Sequence, residues 1–529
     1  MKVEKTRAVN VNTKVVASVI KRFVKLFRIG WATKKVRASQ SETEKLLAQR
    51  ALVALLADAR GISLKVGQLF AAVEGGSEFQ SLTDSVPALP LKIMLPVLEK
   101  SLGFAPKTIF KNIQPAAAAA SLGQVHLAEF HDGTPVAIKI RYPDIANAVN
   151  AELKLADLMP NVGKVQEWGF DLSAYKQTLF DTLQRELDYR IEAKTQTYFR
   201  ENVRVAHLEI PRVYDEFSSD CVLVQSRATG VTFPEIVNWS EFERRLIAET
   251  LLQTLFTSLF VAGEIHADPH NGNTFYNHVD HDSVVTLLDF GCTVSLNETR
   301  RLALLKLILG CREKSAVNPL ACFVALGFDA QKLAHIQGAL PLLSQFLFRP
   351  FLVNHVFNLA EWQLEQKITD LLGDKRWWFR SAGAADVLLL MRAFQGLTQQ
   401  LQQLRINLNW WQILEKSVNA TLLQQARDLN LPTINVSTAE FKALDFASQA
   451  QKLHVKITKN NQSLVSVELP AEAALDLEKL VPEDVRLELK QSGNVDLGEV
   501  LKRLKSEGLS PQVLFACELG EKQYRVWLA

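Results

Sequence analysis

The chain has 529 residues, 48% hydrophobic and 22% charged, which predicts several domains with ordinary cores and excludes a globally disordered chain. Five scattered cysteines, Cys221, Cys292, Cys311, Cys322 and Cys517, form no Cys-x-x-Cys pair, so they read as reduced thiols of a cytosolic protein. The formal charge of +3 hides an asymmetry: residues 1–37 hold eleven basic side chains against Glu4 alone, leaving 49 basic and 56 acidic groups elsewhere. An acidic body of this kind argues against a nucleic-acid partner.

Residues 1–40 are read as a basic amphipathic segment. Val15, Val16, Val19, Ile20, Phe23, Leu26, Phe27 and Trp31 recur at three and four, opposite the basic residues. That pattern suits peripheral contact with an anionic membrane surface through residues 14–37, on the inner face of the membrane. Docking of the same face on the protein's own body, or on a partner protein, stays open beside it. Lys21, Arg22, Lys25 and Arg28 interrupt the apolar run, so no export signal is predicted, and no later stretch reads as a transmembrane segment.

Residues 41–112 read as a helical extension with Leu46, Leu47, Leu52, Leu55 and Leu56 in a stripe, broken near Val86 to Pro90. Residues 113–230 form a smaller lobe. In it Gln124 to Phe130 and Pro135 to Ile140 flank an Asp132-Gly133 turn as a hairpin, Tyr175 to Arg200 reads as one long helix, and Cys221 to Ser226 as a buried strand. Residues 231–431 form a helical lobe. A Ser240/Glu243 capping box opens a helix that stops at Gly263, strands follow near Thr274 to Tyr276 and Val284 to Leu288, and the remainder is helical. Residues 432–529 make a small α+β accessory module: a hairpin of Leu453, Val455 and Ile457 with Val465, Val467 and Leu469, a helix capped by Asp496, and two closing strands. It carries no catalytic constellation and is read as a site for an unidentified protein partner.

The chemistry concentrates between Gly263 and Gly291. Asp268 and Asn273 lie five apart on a loop after the capped helix, and Asp289, Phe290 and Gly291 end a buried strand 21 residues beyond Asp268. Phosphoryl transfer from ATP needs a carboxylate beside the acceptor and hard oxygen ligands for Mg²⁺. Asp268 fits the first role, Asn273 and Asp289 the second. A zinc site built from His266, His270, His278 and His281 is a rival, but the spacing matches no zinc motif. A lone Asp-Phe-Gly would be no more than a turn after a strand. Here Lys139 on the second hairpin strand can pair with nucleotide phosphates if Glu192 positions it, although two solvated acids at Asp188 and Glu192 on one helix face are the plain alternative. The segment that should cover the phosphates, Ala116 to Ala120 with Ser121, Leu122 and Gly123, has one glycine where a protein kinase has three. Ala118, Ala119, Ser121 and Gln124 are the expected nucleotide contacts there.

These residues resemble the UbiB, or AarF, family of atypical kinases. The resemblance rests on Lys65-x-Gly67-Gln68, the alanine-rich loop with Ser121 and Gln124, Glu186-x-Asp188 with Glu192, and the Asp268 loop with Asp289, over residues ~60 to 295. It implies an α+β, two-lobed, protein-kinase-like fold with an N-terminal helical extension. It further implies that Lys65 and Gln68 fold over the cleft while Glu186 and Asp188 help close it, a regulatory set. ATP and Mg²⁺ are the implied cofactors, and the implied activity is a kinase or ATPase in an isoprenoid-quinone or other membrane-lipid pathway, with a lipid or quinone-like ligand. A small-molecule phosphotransferase and a non-catalytic nucleotide-gated scaffold remain alternatives.

Overall fold

The computed structural model describes residues 88–529 except 121, 148, 150–171, 269–270, 280–281, 437–444, 461 and 493–494. The expectations for the basic segment, for Lys65 and Gln68, and for Ser121 lie outside these residues.

The smaller lobe is a four-stranded antiparallel sheet, β1 (Phe110–Ala119), β2 (Gly123–Phe130), β3 (Pro135–Arg141) and β5 (Val222–Ser226), in that order. Strand alternation sends Val136, Ile138 and Ile140 of β3 into a core shared with Val222, Val224, Leu183 and the helix α1 (Leu91–Leu102), and turns Lys139 to the other face. The hairpin turn places Gly133 at φ +90°, a conformation glycine adopts without a Cβ penalty.

Two sequence expectations change here. The alanine-rich stretch is a strand end: β1 runs through Ala119 and pairs with β2, with irregular register between Ala116 and Ala118. Small unbranched side chains give little strand signal, and pairing with β2 decides the outcome. The expected long helix is two, α2 (Leu172–Glu186) and α3 (Tyr189–Asn202). Asp188 is the N-cap of α3, accepting from Arg190 N at 3.1 Å, and Arg141 donates to the carbonyls of Leu187 and Asp220 across the break. Asp188 and Glu192 therefore do not share a helix face as an i,i+4 pair.

In the larger lobe, α4 (Glu241–Phe256) starts at the capping box of Ser240 and Glu243, continues through a π-helical turn over Thr257–Ala262, and ends at Gly263 with φ +77°. A Cβ at Gly263 would sit 3.0 Å from the Leu296 carbonyl. The stretch from 241 to 262 is long and apolar enough to cross a membrane, but 61% of its apolar window is buried in the protein, as in a core helix. Beyond it come β6 (Glu264–His266), β7 (Thr274–Val279), β8 (Asp282–Leu287) and β9 (Thr293–Ser295). The short strand β4 (Leu208–Glu209) joins β8 in parallel, β7 pairs with β8, and β6 with β9. Helices from α5 (Glu298–Glu313) to Asp428, including the 20-residue α6 (Ala385–Leu404), enclose a core centred on Phe256, Phe351, Trp362 and Trp410.

The C-terminal module has the sheet order β11 (Gln462–Pro470), β10 (Lys452–Lys459), β13 (Lys522–Leu528), β12 (Gln512–Leu519), with α7 (Leu497–Glu507) capped by Asp496. It is seated on the larger lobe by close backbone approach: a Cβ on Gly338 would lie 2.2 Å from the Ser506 carbonyl, and one on Gly508 would lie 2.5 Å from the Gly338 carbonyl.

Candidate nucleotide site

Lys139 reaches from β3 to α3, where its Nζ lies 2.7 and 2.9 Å from the two carboxylate oxygens of Glu192 and 3.2 Å from Asp289 Oδ2. Glu192 is 2% exposed and Lys139 13%, so the cluster sits in low dielectric, where charges interact strongly and unpaired ones are costly. Two carboxylates share the one ammonium. Burial pushes the Glu192 carboxyl up to about 7, against the pull of Lys139. Burial opposes the charge on Lys139, but Asp289 and Glu192 outweigh it and hold the ammonium well above the usual lysine range. Tyr189 lies beneath, its ring centroid 5.2 Å from Lys139 Nζ.

The backbone before Phe290 is locally shaped for its role. Asp289 adopts φ +56°, a left-handed conformation that aspartate tolerates better than branched residues, and its Oδ1 accepts from Gly291 N at 3.2 Å. Phe290 is buried against Phe199 and His266, with ring centroids at 5.0 and 5.4 Å. His266 donates from Nε2 to the carbonyls of Leu288 and Asp289, at 3.1 and 2.8 Å, and so ties the Asp268 loop to the Asp289 segment. His278 packs on Trp239 at 3.9 Å and lies 3.3 Å from Glu243. Among the described residues no group of three or more His, Cys, Asp or Glu gathers as metal ligands.

Asp268 Oδ1 accepts from Arg392 Nη2 at 2.5 Å, and Asn273 Nδ2 lies 3.2 Å from the Asp268 carbonyl and 3.3 Å from its Oδ2. With its amide nitrogen turned to Asp268, Asn273 has its side-chain oxygen left to offer a metal. An amide oxygen and the Asp289 carboxylate are the hard donors Mg²⁺ takes, so these residues fit that ion. Of the four histidines of the zinc alternative, His270 and His281 lie outside the described residues, and His266 and His278 are engaged as described above.

The other expected residues divide. Ala118 is opposite Val125, which is opposite Lys139, so all three lie on one face of the sheet. Ala119 is opposite Gln124, which is opposite Ile140, and these belong to the other face. The expectation that the Gln124 side chain meets nucleotide does not hold. It is fully buried, bonded both ways to Leu89 (N to Oε1 2.8 Å, Nε2 to O 2.9 Å), and 2.9 Å from His126 Nε2. His126 in turn donates from Nδ1 to the Gln114 carbonyl at 2.9 Å. The lone glycine of the segment also has a packing role: a Cβ on Gly123 would lie 2.4 Å from Tyr189 Oη and 2.6 Å from the Ile140 carbonyl. Glu186 is buried, its Cγ 3.5 Å from where a Cβ on Gly291 would be. Asp188 faces Arg190 at 2.7 Å instead, which is the first cause of its lowered carboxyl pKa.

Residues 81–318 match the family model described as the ABC1 atypical kinase-like domain. Over those residues the chain is similar to the UbiB/AarF family of atypical kinases, as its motifs imply. The chain is 31% identical to the rat protein named atypical kinase COQ8B, mitochondrial, over 46% of this chain and 47% of that one. It is 32% identical to the probable protein kinase UbiB of Histophilus somni, over 45% and 47%. An uncharacterized Synechocystis protein, sll1770, is 27% identical over 56% and 53%. The chain thus spans about half the length of these curated relatives. A solved complex of Rv3197 with erythromycin from Mycobacterium tuberculosis aligns with 72% of this chain and 98% of its own, at 24% identity and TM-score 0.48. The fold is the two-lobed α+β kinase-like one.

Arg392 is the residue that motif reading missed. It lies 124 positions from Asp268 on α6, beyond the family match, and one arginine on an amphipathic helix carries no local signal.

Proposed function

We propose that the protein binds Mg²⁺-ATP between its lobes and turns it over as an atypical kinase or ATPase of the UbiB type. The observation that carries this reading is the convergence of Lys139, Glu192 and Asp289, drawn from three separate elements, with Asp268 and Asn273 next to them. In it Lys139 turns from Asp289 to the phosphates while Glu192 holds it in place. Asn273 and Asp289 would hold Mg²⁺, which would supply neutralisation of charge on the phosphates. Asp268 orients the attacking hydroxyl or water, and Ala118 borders the nucleotide on the Lys139 face.

The pathway belongs to the proposal as well. The family resemblance carried by the motifs favours an isoprenoid-quinone or other membrane-lipid setting, with a lipid or quinone-like ligand and peripheral membrane contact through residues 14–37. The deciding experiment is nucleotide turnover by the purified full chain, with and without anionic vesicles and a soluble quinone analogue, alongside Mg²⁺-ATP thermal stabilisation. Turnover raised by vesicles supports the reading. Stabilisation without turnover in every condition overturns the enzyme in favour of a nucleotide-gated scaffold, and no stabilisation overturns nucleotide binding.

A further inference from the structure

We propose that Arg392 is a positioning residue for Asp268, fixing the direction of its carboxylate; this rests on the reading of Asp268 as the group that orients the attacking oxygen. The contact is short, 2.5 Å from Nη2 to Oδ1, between side chains only 13% and 16% exposed. In such surroundings an ion pair is well screened from water and each partner depends on the other. Burial opposes the arginine's charge, and Asp268, with Cys292 and Glu186 contributing, more than restores it.

A second bond from the same helix reaches the same loop. Gln400 Nε2 donates to Asn271 Oδ1 at 3.1 Å, so α6 holds the loop at both Asp268 and Asn271, eight residues apart on the helix and three apart on the loop. Asn273 contacts Asp268 Oδ2, while Arg392 takes Oδ1. The carboxylate is therefore clamped on both oxygens, which fixes its plane. α6 also packs on α2, β6 and β9, so the helix that aims Asp268 touches the element ending in Glu186. The contribution of a carboxylate held this way is geometry. A shift of about 1 Å in such a group costs roughly 100-fold in rate.

The test compares Arg392→Gln, Arg392→Lys, Asp268→Asn and the Asp268→Asn/Arg392→Gln double variant in ATP turnover, with Mg²⁺-ATP melting shifts as the measure of binding. Arg392→Gln should lower kcat by roughly 100-fold while the KM for ATP and the melting shift stay near wild type. Arg392→Lys should recover much of the loss, because a single charged contact is what it must replace. The double variant, with both charges removed, should fold even where Arg392→Gln does not, and should be no slower than Asp268→Asn. Wild-type kcat in Arg392→Gln, a loss in KM alone, no recovery with lysine, or a double variant much slower than Asp268→Asn would each overturn the inference. The outcomes separate the two readings: absent turnover by the wild type removes the enzymatic reading and this inference together, whereas an active wild type with an indifferent Arg392→Gln removes only this one.

Discussion

Replacing Glu192 by glutamine should make the ligand-free protein more stable at pH 8 while weakening its hold on nucleotide. Glu192 titrates near 7 in the folded protein against an ordinary value of 4.5, chiefly because it is buried. A group whose pKa is raised on folding contributes stability below its unfolded value and loses that contribution as pH climbs through the folded one. At about 1.4 kcal/mol per unit, the rise of about 2.5 units corresponds to about 3 kcal/mol lost between pH 4.5 and somewhat above 7. Glutamine keeps the shape and never ionises, so the loss should vanish. The assay is melting temperature against pH from 5 to 8.5 for wild type and Glu192→Gln, each with and without Mg²⁺-ATP. Taking the difference between variants cancels the contributions of other titrating groups. Without ligand the mutant should gain on wild type with rising pH, by roughly 5–10 °C at the top, and its Mg²⁺-ATP shift should shrink. Parallel pH profiles would refute the account of a carboxyl whose burial outweighs its ion pair, and so would a mutant that melts lower at pH 8.

Asp289→Asn should retain the fold yet lose the Mg²⁺-dependent part of ATP stabilisation, and equal melting shifts at limiting Mg²⁺ would remove Asp289 from the metal site. Gly123→Ala should cost about 1–3 kcal/mol of stability, since the added methyl meets Tyr189 Oη and the Ile140 carbonyl; urea unfolding with an unchanged midpoint would refute that packing role. Deleting residues 1–38 should abolish salt-sensitive co-sedimentation with anionic vesicles, phosphatidylcholine vesicles serving as the neutral control. Equal sedimentation of both forms would place the apolar stripe on the protein's own body, and the truncated chain should then melt lower.

Legibility followed the range of the forces involved. Lys139 and Glu192 are 53 residues apart, but each sits in a strong local pattern, an alternating strand and a helix, so their meeting could be anticipated. The hairpin, the Ser240 cap and the Asp496 cap are local motifs and the structure contains all three. The break before α3 had a local signal too, Asp188 as an N-cap, but with no Gly or Pro to mark it the helical periodicity on either side ran together. Alternation along β2 puts Gln124 on the face away from Lys139, a consequence hidden while the alanine-rich stretch is read as a loop. The Arg392 contact to Asp268 is set by how α6 packs, and tertiary packing writes no short-range pattern.

The seating of the C-terminal module has a mechanical consequence. Where Gly338 and Gly508 bring two backbones together, nothing larger than hydrogen fits between them, and at that point backbone meets backbone with no side chain between to slide or change rotamer. Such a joint behaves as a weld and not as a tether. Whatever pulls on the module, a partner or a surface, applies its torque directly to the larger lobe, where Asp268, Asn273 and α6 lie.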